Sequence, residues 1–211
     1  MADATPLASA EATPLRRQPS QNRSRERVER MLAAATELIA AKGSDAMRMG
    51  EVAETAGVSI GSLYQYFPDK AAIIRTLAER YNVQEQACIK TELDKVRTVA
   101  GLRAALAGLI DTYYALFLAE PVMRDIWSGT QADRTLQDMD LAETRILGAM
   151  LAEALARLDP KADRAALDTP AFLTMHLVGS TVRLAIGMDR AEGDALVEAL
   201  KQMMLRELLP V

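Results

Sequence analysis

Cysteine and histidine are almost missing from this chain. Cys88 and His176 are the only ones in 211 residues. A single cysteine excludes an intrachain disulfide, and such usage suits a reducing compartment. One His and one Cys also exclude a zinc site built from several such ligands. An all-carboxylate metal site stays open, though no tight Asp/Glu cluster stands out. Hydrolytic machinery of the nucleophile–base–orienter kind would rest on His176 alone. Neither G-x-G-x-x-G nor a P-loop pattern occurs. The expectation is therefore a protein that is not an enzyme and carries no cofactor and no metal. The N-terminus has no continuous apolar run and its arginines come late, so no secretory signal is expected. The longest apolar segment, Pro170 to Met188, contains His176 and Arg183, charges that are costly in a bilayer, so no membrane span is expected there.

Aromatics are scarce as well: three Phe, five Tyr and one Trp. Ala, Leu and Met are abundant, and unbranched side chains lose little rotamer freedom in a helix. Half of the residues are hydrophobic, enough for a sizeable core. No strand alternation and no internal repeat is visible. The composition points to an all-helical protein.

Net charge is −4, which argues against indiscriminate nucleic-acid binding. It is unevenly spread. Arg16 to Arg80 holds eleven Lys/Arg and eight Asp/Glu, whereas Tyr81 to Val211 holds fourteen and nineteen. A mildly basic N-terminal module is joined to an acidic body.

Residues 1–22 are rich in Ala, Thr, Pro, Ser and Gln without periodicity and read as a disordered arm. Val28, Met31, Leu32, Ala35, Leu38 and Ile39 then recur at helical spacing, predicting a helix from about Ser24 to Lys42, stopped by Gly43. A short helix from about Met49 to Ala56 follows. Gly57-Val58-Ser59 interrupts it, and Ser59 is placed to cap a third helix from Ile60 to Tyr66. Pro68 ends that helix. Asp69 caps a fourth, which runs to about Val96. Further helices are expected over Leu102–Phe117, Val122–Thr130, Leu141–Leu158, Pro170–Met188 (capped by Asp168 or Thr169) and Asp189–Leu208.

Two short helices joined by a glycine-containing turn, behind a longer amphipathic helix, make a helix-turn-helix pattern. Three of the nine aromatics, Tyr64, Tyr66 and Phe67, lie within its last four residues. Ala53 is small where the two helices approach, Gly57 suits the sharp turn, and Val58, Leu63 and Phe67 point inward. Ser59, Ile60, Gly61, Ser62, Tyr64, Gln65 and Tyr66 remain for an outward face. Hydroxyls and free amides there hold phosphates, and Gln65 can read an adenine.

The stretch ERMLAAATELIAAKGSDAMRMGEVAETAGVSIGSLYQYFPDKAAII resembles the DNA-binding domain of the TetR family of bacterial transcriptional regulators over about Arg25 to Ile74. G-V-S, L-Y, Y-F and the downstream Lys stand in family order and spacing. The resemblance implies a cytoplasmic, all-helical homodimer bound to palindromic double-stranded DNA. It implies a three-helix DNA-binding domain (residues 23–68), then a helical ligand-binding and dimerisation domain (residues 69–211). By position, DNA contacts would fall on Arg48, Ser59, Gly61, Ser62, Tyr64, Gln65, Tyr66 and Lys70. Two positions depart from the family. Met47 stands where Thr or Ser usually caps the second helix and touches phosphate, and Ile60 replaces a polar or basic residue in many relatives.

In the acidic body, Pro170–Met188 is apolar on nearly every side. With the final helix it offers a four-helix interface to a second copy, through Phe172, Gly179, Ser180, Val182, Leu196, Leu200 and Met203. A buried intramolecular helix would read the same way. Candidates for a pocket holding a largely apolar small molecule are Tyr113, Tyr114, Phe117, Met123, Trp127, Gln131, Met150, His176 and Arg183. At helical spacing such residues also suit plain core. The expected function is a homodimeric repressor released from its operator by a small molecule. A regulator without a ligand, or an activator, fits the same residues.

Overall fold

The structure, a computed structural model, describes residues 18–129 and 133–207. Among these it has nine helices and no strand: α1 (Gln18–Ala46), α2 (Met49–Thr55), α3 (Ile60–Tyr66), α4 (Lys70–Leu93), α5 (Val99–Ala119), α6 (Pro121–Gly129), α7 (Arg134–Leu158), α8 (Arg164–Ala185) and α9 (Arg190–Glu207). The all-helical expectation holds. Most of the expected arm, and Gln131, lie outside the described residues.

Helix starts follow caps. Asp69 Oδ1 accepts the Ala72 N–H at 2.7 Å, Thr98 Oγ1 accepts that of Gly101 at 3.0 Å, and Asp133 Oδ1 accepts those of Thr135 and Leu136 at 2.8 and 3.1 Å. Each such cap is worth roughly 0.5–2 kcal/mol. Asp133 explains why α7 starts before the expected Leu141. Similarly, α8 does not start at Pro170. Asp163 Oδ1 accepts the Ala165 N–H at 3.0 Å and starts the helix earlier, leaving Pro170 inside it. An interior proline removes one ladder bond and clashes with the preceding turn. Here the close packing of α8 on α7 holds the helix together. α1 also starts earlier than expected, at Gln18, but breaks where expected: Gly43 has φ 82° and ψ 158°.

Two apolar clusters fill the interior. The first joins α1, α2 and α3 to the near ends of α4 and α5, to α6 and to α9, through Met31, Leu63, Phe67, Ile73, Phe117, Ile126 and Val197. The second packs Ile89, Leu93, Leu102, Leu106, Leu151 and Ala171 at the far end of the body. The division expected at residues 68 and 69 falls at the start of α4, and the first cluster continues across it. α5 is long and apolar enough to cross a membrane by composition. Here its Leu102, Leu106, Ile110, Tyr114 and Phe117 are buried in the fold.

The expected interface residues divide. Val182 and Leu200 are buried within the chain. Gly179 faces inward against the Arg183 guanidinium, and Phe172 has its backbone against Gly148 of α7. Val182 and Leu200 thus pack inside this chain, while Phe172 and Gly179 are half-buried. Leu196 is half-buried and Ser180 partly covered, while Met203 is exposed. The apolar side chains that α8 turns outward are Leu173, Leu177 and Leu184, continued by Met188.

A Cβ at Gly148 would lie 2.8 Å from Phe172 Cα, a backbone atom that cannot move cheaply. Gly148→Ala should therefore lower stability by about 1–3 kcal/mol despite its better helix propensity. Thermal unfolding should show a drop of several degrees; an unchanged or raised melting temperature would contradict this packing.

Candidate DNA-reading face and effector cavity

The turn between α2 and α3 is held by backbone bonds, Gly57 N–H to Glu54 O at 3.0 Å and Val58 N–H to Ala53 O at 3.0 Å. Gly57 takes φ 64°, which a side chain would disfavour. Ser59 Oγ accepts the Ser62 N–H at 3.2 Å and caps α3. Val52, Ala53, Leu63 and Phe67 are buried, locking α3 onto its module. What α3 leaves outside is one face: Ile60, Gly61, Tyr64 and Gln65, with Ser59 at its N-terminus. Tyr64 is 51% exposed.

Several expected contacts are already occupied in the free chain. The Tyr66 hydroxyl and Ser24 Oγ share a hydrogen bond of 2.8 Å. Arg27 Nη1 donates to Ser62 Oγ at 3.4 Å. Lys70 Nζ donates to Ser44 O at 2.9 Å and Asp45 O at 3.1 Å, closing the end of α1. Met47 is buried, with 3% exposure. With no hydroxyl there, the Arg48 N–H is taken by Glu51 Oε2 at 3.1 Å, and Lys42 Nζ pairs with the same oxygen at 2.6 Å. The Arg48 side chain is exposed beside it.

Between the two apolar clusters lies a cavity of about 150 Å³. α4 contributes Tyr81, Asn82, Glu85, Cys88 and Ile89. α5 contributes Leu106, Leu109, Ile110 and Tyr113; α6, Met123 and Trp127; α7, Asp140, Glu143, Thr144 and Leu147; and α8, Met175, His176, Val178, Gly179 and Arg183. Tyr113, Met123, Trp127, His176 and Arg183 thus line the cavity as expected. Three candidates do not. Tyr114, one residue round α5, turns toward α9, where the Arg190 guanidinium lies 5.6 Å over its ring. Phe117 is wholly buried in the first cluster, against the Tyr113 ring at 4.8 Å. Met150 packs at the edge of the second cluster. His176 stacks on Phe172 and lies 3.4 Å from Ser180 Oγ.

Apart from His176 and Arg183, the polar lining was missed from the sequence: Asn82, Glu85, Asp140, Glu143 and Thr144. Arg183 Nη1 and Nη2 donate to the two Asp140 oxygens at 3.2 and 3.4 Å. Gln86 Nε2 donates to Glu143 Oε2 at 2.8 Å. Burial, then the Glu143 and Asp140 charges, push the Glu85 carboxyl up to about 8, with Arg183 pulling it back. Burial raises Glu143 as well, against the Gln86 bond. Tyr113 is raised well above its usual range by burial and then by Glu85. A signal was present. Asn82 and Glu85 fall on the stripe Ile73, Leu77, Ala78, Ile89, Leu93, and Asp140, Glu143 and Thr144 on the stripe Leu136, Leu147, Leu151. Polar residues in line with an apolar face mark a place where the face meets something other than core.

The cavity and the DNA-reading module meet at α6. Met123 and Trp127 point into the cavity, while Asp125 Oδ2 accepts the Ser44 N–H at 2.9 Å, one residue past the Gly43 break. Arg80 on α4 pairs twice with Glu29 on α1, at 2.6 and 2.7 Å.

Glu85 also makes a stability test. Its folded carboxyl holds its proton more tightly than the ordinary 4.5 of an unfolded glutamate. The folded state is therefore favoured fully below about 4.5, and this advantage is lost as pH rises toward 8, at up to about 1.4 kcal/mol per unit. Glu85→Gln should match the parent's melting temperature near pH 4.5 and exceed it at pH 8. Parallel pH profiles for the two proteins would contradict the burial of this charge.

Comparison with known proteins places both parts of the chain in one family. The family model described as "Bacterial regulatory proteins, tetR family" matches residues 31–77, and that described as "Tetracyclin repressor-like, C-terminal domain" matches residues 100–211. An uncharacterised HTH-type transcriptional regulator from Xanthobacter autotrophicus is 26% identical over 190 residues, 86% of this chain and 90% of that protein. The HTH-type transcriptional repressor KstR of Rhodococcus jostii is 42% identical over 55 residues, 26% of each chain. Among solved structures, the transcriptional regulator FadR of Bacillus subtilis in complex with stearoyl-CoA aligns with a TM-score of 0.58 at 21% identity, over 86% of this chain and 97% of that one.

Proposed function

The chain belongs to the TetR family of bacterial transcriptional regulators, and on that premise we propose that it is a homodimeric repressor, released from an inverted-repeat operator when a small molecule fills the cavity between α4 and α8. The observation that carries the reading is α6, which lines the cavity with Met123 and Trp127 and holds the end of α1 with Asp125. The exposed face of α3 supports DNA reading. Gln65 faces a base edge, Tyr64 and Ser59 meet phosphates, and Arg48 replaces the contact that Met47 cannot make. Ile60 meets a thymine methyl. Tyr66 and Lys70 act by holding α3 and α4 to α1, with their remaining donor capacity toward the DNA backbone. Repression is in keeping with KstR, a repressor similar to this chain over 55 residues.

The outward stripe Leu173, Leu177, Leu184 and Met188, with Met203 of α9, supports pairing with a second copy. Two α3 helices so paired read half-sites about 34 Å apart or a multiple of it. Release is then a population shift: the effector binds better to a dimer whose α3 helices are wrongly spaced than to the DNA-bound form. A molecule pressing on Trp127 moves α6. The Asp125–Ser44 bond carries that movement to the end of α1, and Lys70 passes it to the start of α4.

Selection of bound duplexes from a random pool should recover an inverted repeat, and Gln65→Ala should relax preference at one base pair per half-site by about 1–3 kcal/mol. Recovery of sites without two-fold symmetry would remove the dimeric reading. Asp125→Ala should leave effector binding, followed by Trp127 fluorescence, close to the parent. It should reduce the factor by which effector weakens operator binding; full release by this variant would place the coupling elsewhere.

A further inference from the structure

Negative charge and unmet acceptors are in excess in the cavity. Three carboxylates line it, Glu85, Asp140 and Glu143, against one guanidinium, that of Arg183. That guanidinium is already hydrogen-bonded to both oxygens of Asp140, and on Glu85 its charge is outweighed by burial and the Glu143 and Asp140 charges. Glu143 is only 7% exposed; Gln86 serves its Oε2, and its Oε1 is buried with no hydrogen-bond partner among the described residues. Asn82, one turn before Glu85 on α4, is also 7% exposed, and its Oδ1 is likewise buried and unpartnered. A buried acceptor left unmet costs about 1–3 kcal/mol. Both orphaned atoms are acceptors, so the group that completes them is a donor. With Asp140 paired to Arg183, the remaining carboxyls of Glu85 and Glu143 favour a donor that is positive over one that is neutral.

Resting on the proposal that this cavity is the effector site, we infer that the effector is a small organic cation, a protonated amine or amidinium on an apolar body about one ring in size. Its N–H groups donate to Asn82 Oδ1 and to the Glu85 and Glu143 carboxylates. Tyr81, Tyr113 and Trp127 supply aromatic faces on which a cation is further stabilised. The volume of about 150 Å³ sets the size of the body. An inorganic divalent ion would need six or more oxygens around it, and most of this wall is carbon. An anionic ligand, including the phosphates of an acyl-CoA, would meet carboxylates in place of donors. The state of Glu85 agrees: burial and then the Glu143 and Asp140 charges push it up to about 8, so it keeps a proton at neutral pH. An arriving ammonium displaces that proton to solvent and takes its place.

Trp127 is the only tryptophan in the sequence and lines the cavity, so its fluorescence reports occupancy directly. The full chain is titrated at pH 7 with benzylamine, benzyl alcohol and benzoate, one frame carrying +1, 0 and −1. Benzylamine should bind at least about tenfold more tightly than benzyl alcohol, with benzoate weakest. Glu143→Gln and Glu85→Gln, each checked for folding by its melting curve, should narrow that ratio. A benzyl alcohol or benzoate affinity equal to or above that of benzylamine overturns the inference. So does an unchanged ratio in both variants, or no response to any of the three. Release of operator DNA by neutral or anionic molecules, without preference for the amine, would uphold the effector-released repressor and still overturn the cationic effector.

Discussion

One hydrogen bond joins the two halves of this protein where they most need joining. Gly43 breaks α1 with backbone angles that a side chain would resist, and the next N–H, that of Ser44, donates to Asp125 on α6. The carbonyls freed by the same break are taken by Lys70, the first residue of α4. Three helices therefore share one short junction. A donor or acceptor left unmet there would cost about as much as several good contacts gain. Under the proposed function this makes α6 the part that both sites must move together.

The cavity has an equally simple origin. α4 and α7 each carry an apolar stripe, and each stripe is interrupted by polar residues at the same height in the bundle. Asn82 and Glu85 interrupt the first; Asp140, Glu143 and Thr144 interrupt the second. Apolar side chains above and below pack into two separate clusters. At the height of the interruption the helices cannot close on each other without burying carboxylates against carboxylates. The space stays open, and the aromatic and aliphatic side chains of α5 and α6 wall it. The inferred organic cation is the occupant whose chemistry relieves that conflict.

Much of the fold was legible along the chain, because helix periodicity and capping are local. Ser59, Asp69 and the Gly43 break did what their types suggest. The boundary errors were also local in origin. Asp133 and Asp163 outcompeted later start signals, and Pro170, which reads as a helix start, was absorbed into α8 by its packing on α7. The exposed face of α3 was legible for the same reason: α3 is short, and its inward residues are plainly Val58, Leu63 and Phe67. The cavity was legible only in part. Trp127, Met123, Tyr113, His176 and Arg183 were found through their unusual types. Tyr114 and Phe117 have the same chemistry but turn to other neighbours, and nothing in one helix's sequence says which neighbour lies on which side.

By itself, the sequence determined the all-helical class and the turn between α2 and α3, and it marked the α3 residues proposed to meet a base. These depend on residue type and on spacing within one helix. Tertiary structure decided what required two helices to meet. It turned Val182 and Leu200 inward and Leu173, Leu177 and Leu184 outward, gave Lys70 to the end of α1, and brought Glu85 and Glu143 into one cavity wall. Burial and charge pairing are properties of such meetings. A carboxylate that reads as an ordinary surface residue in either helix becomes, between them, the feature proposed to select the ligand.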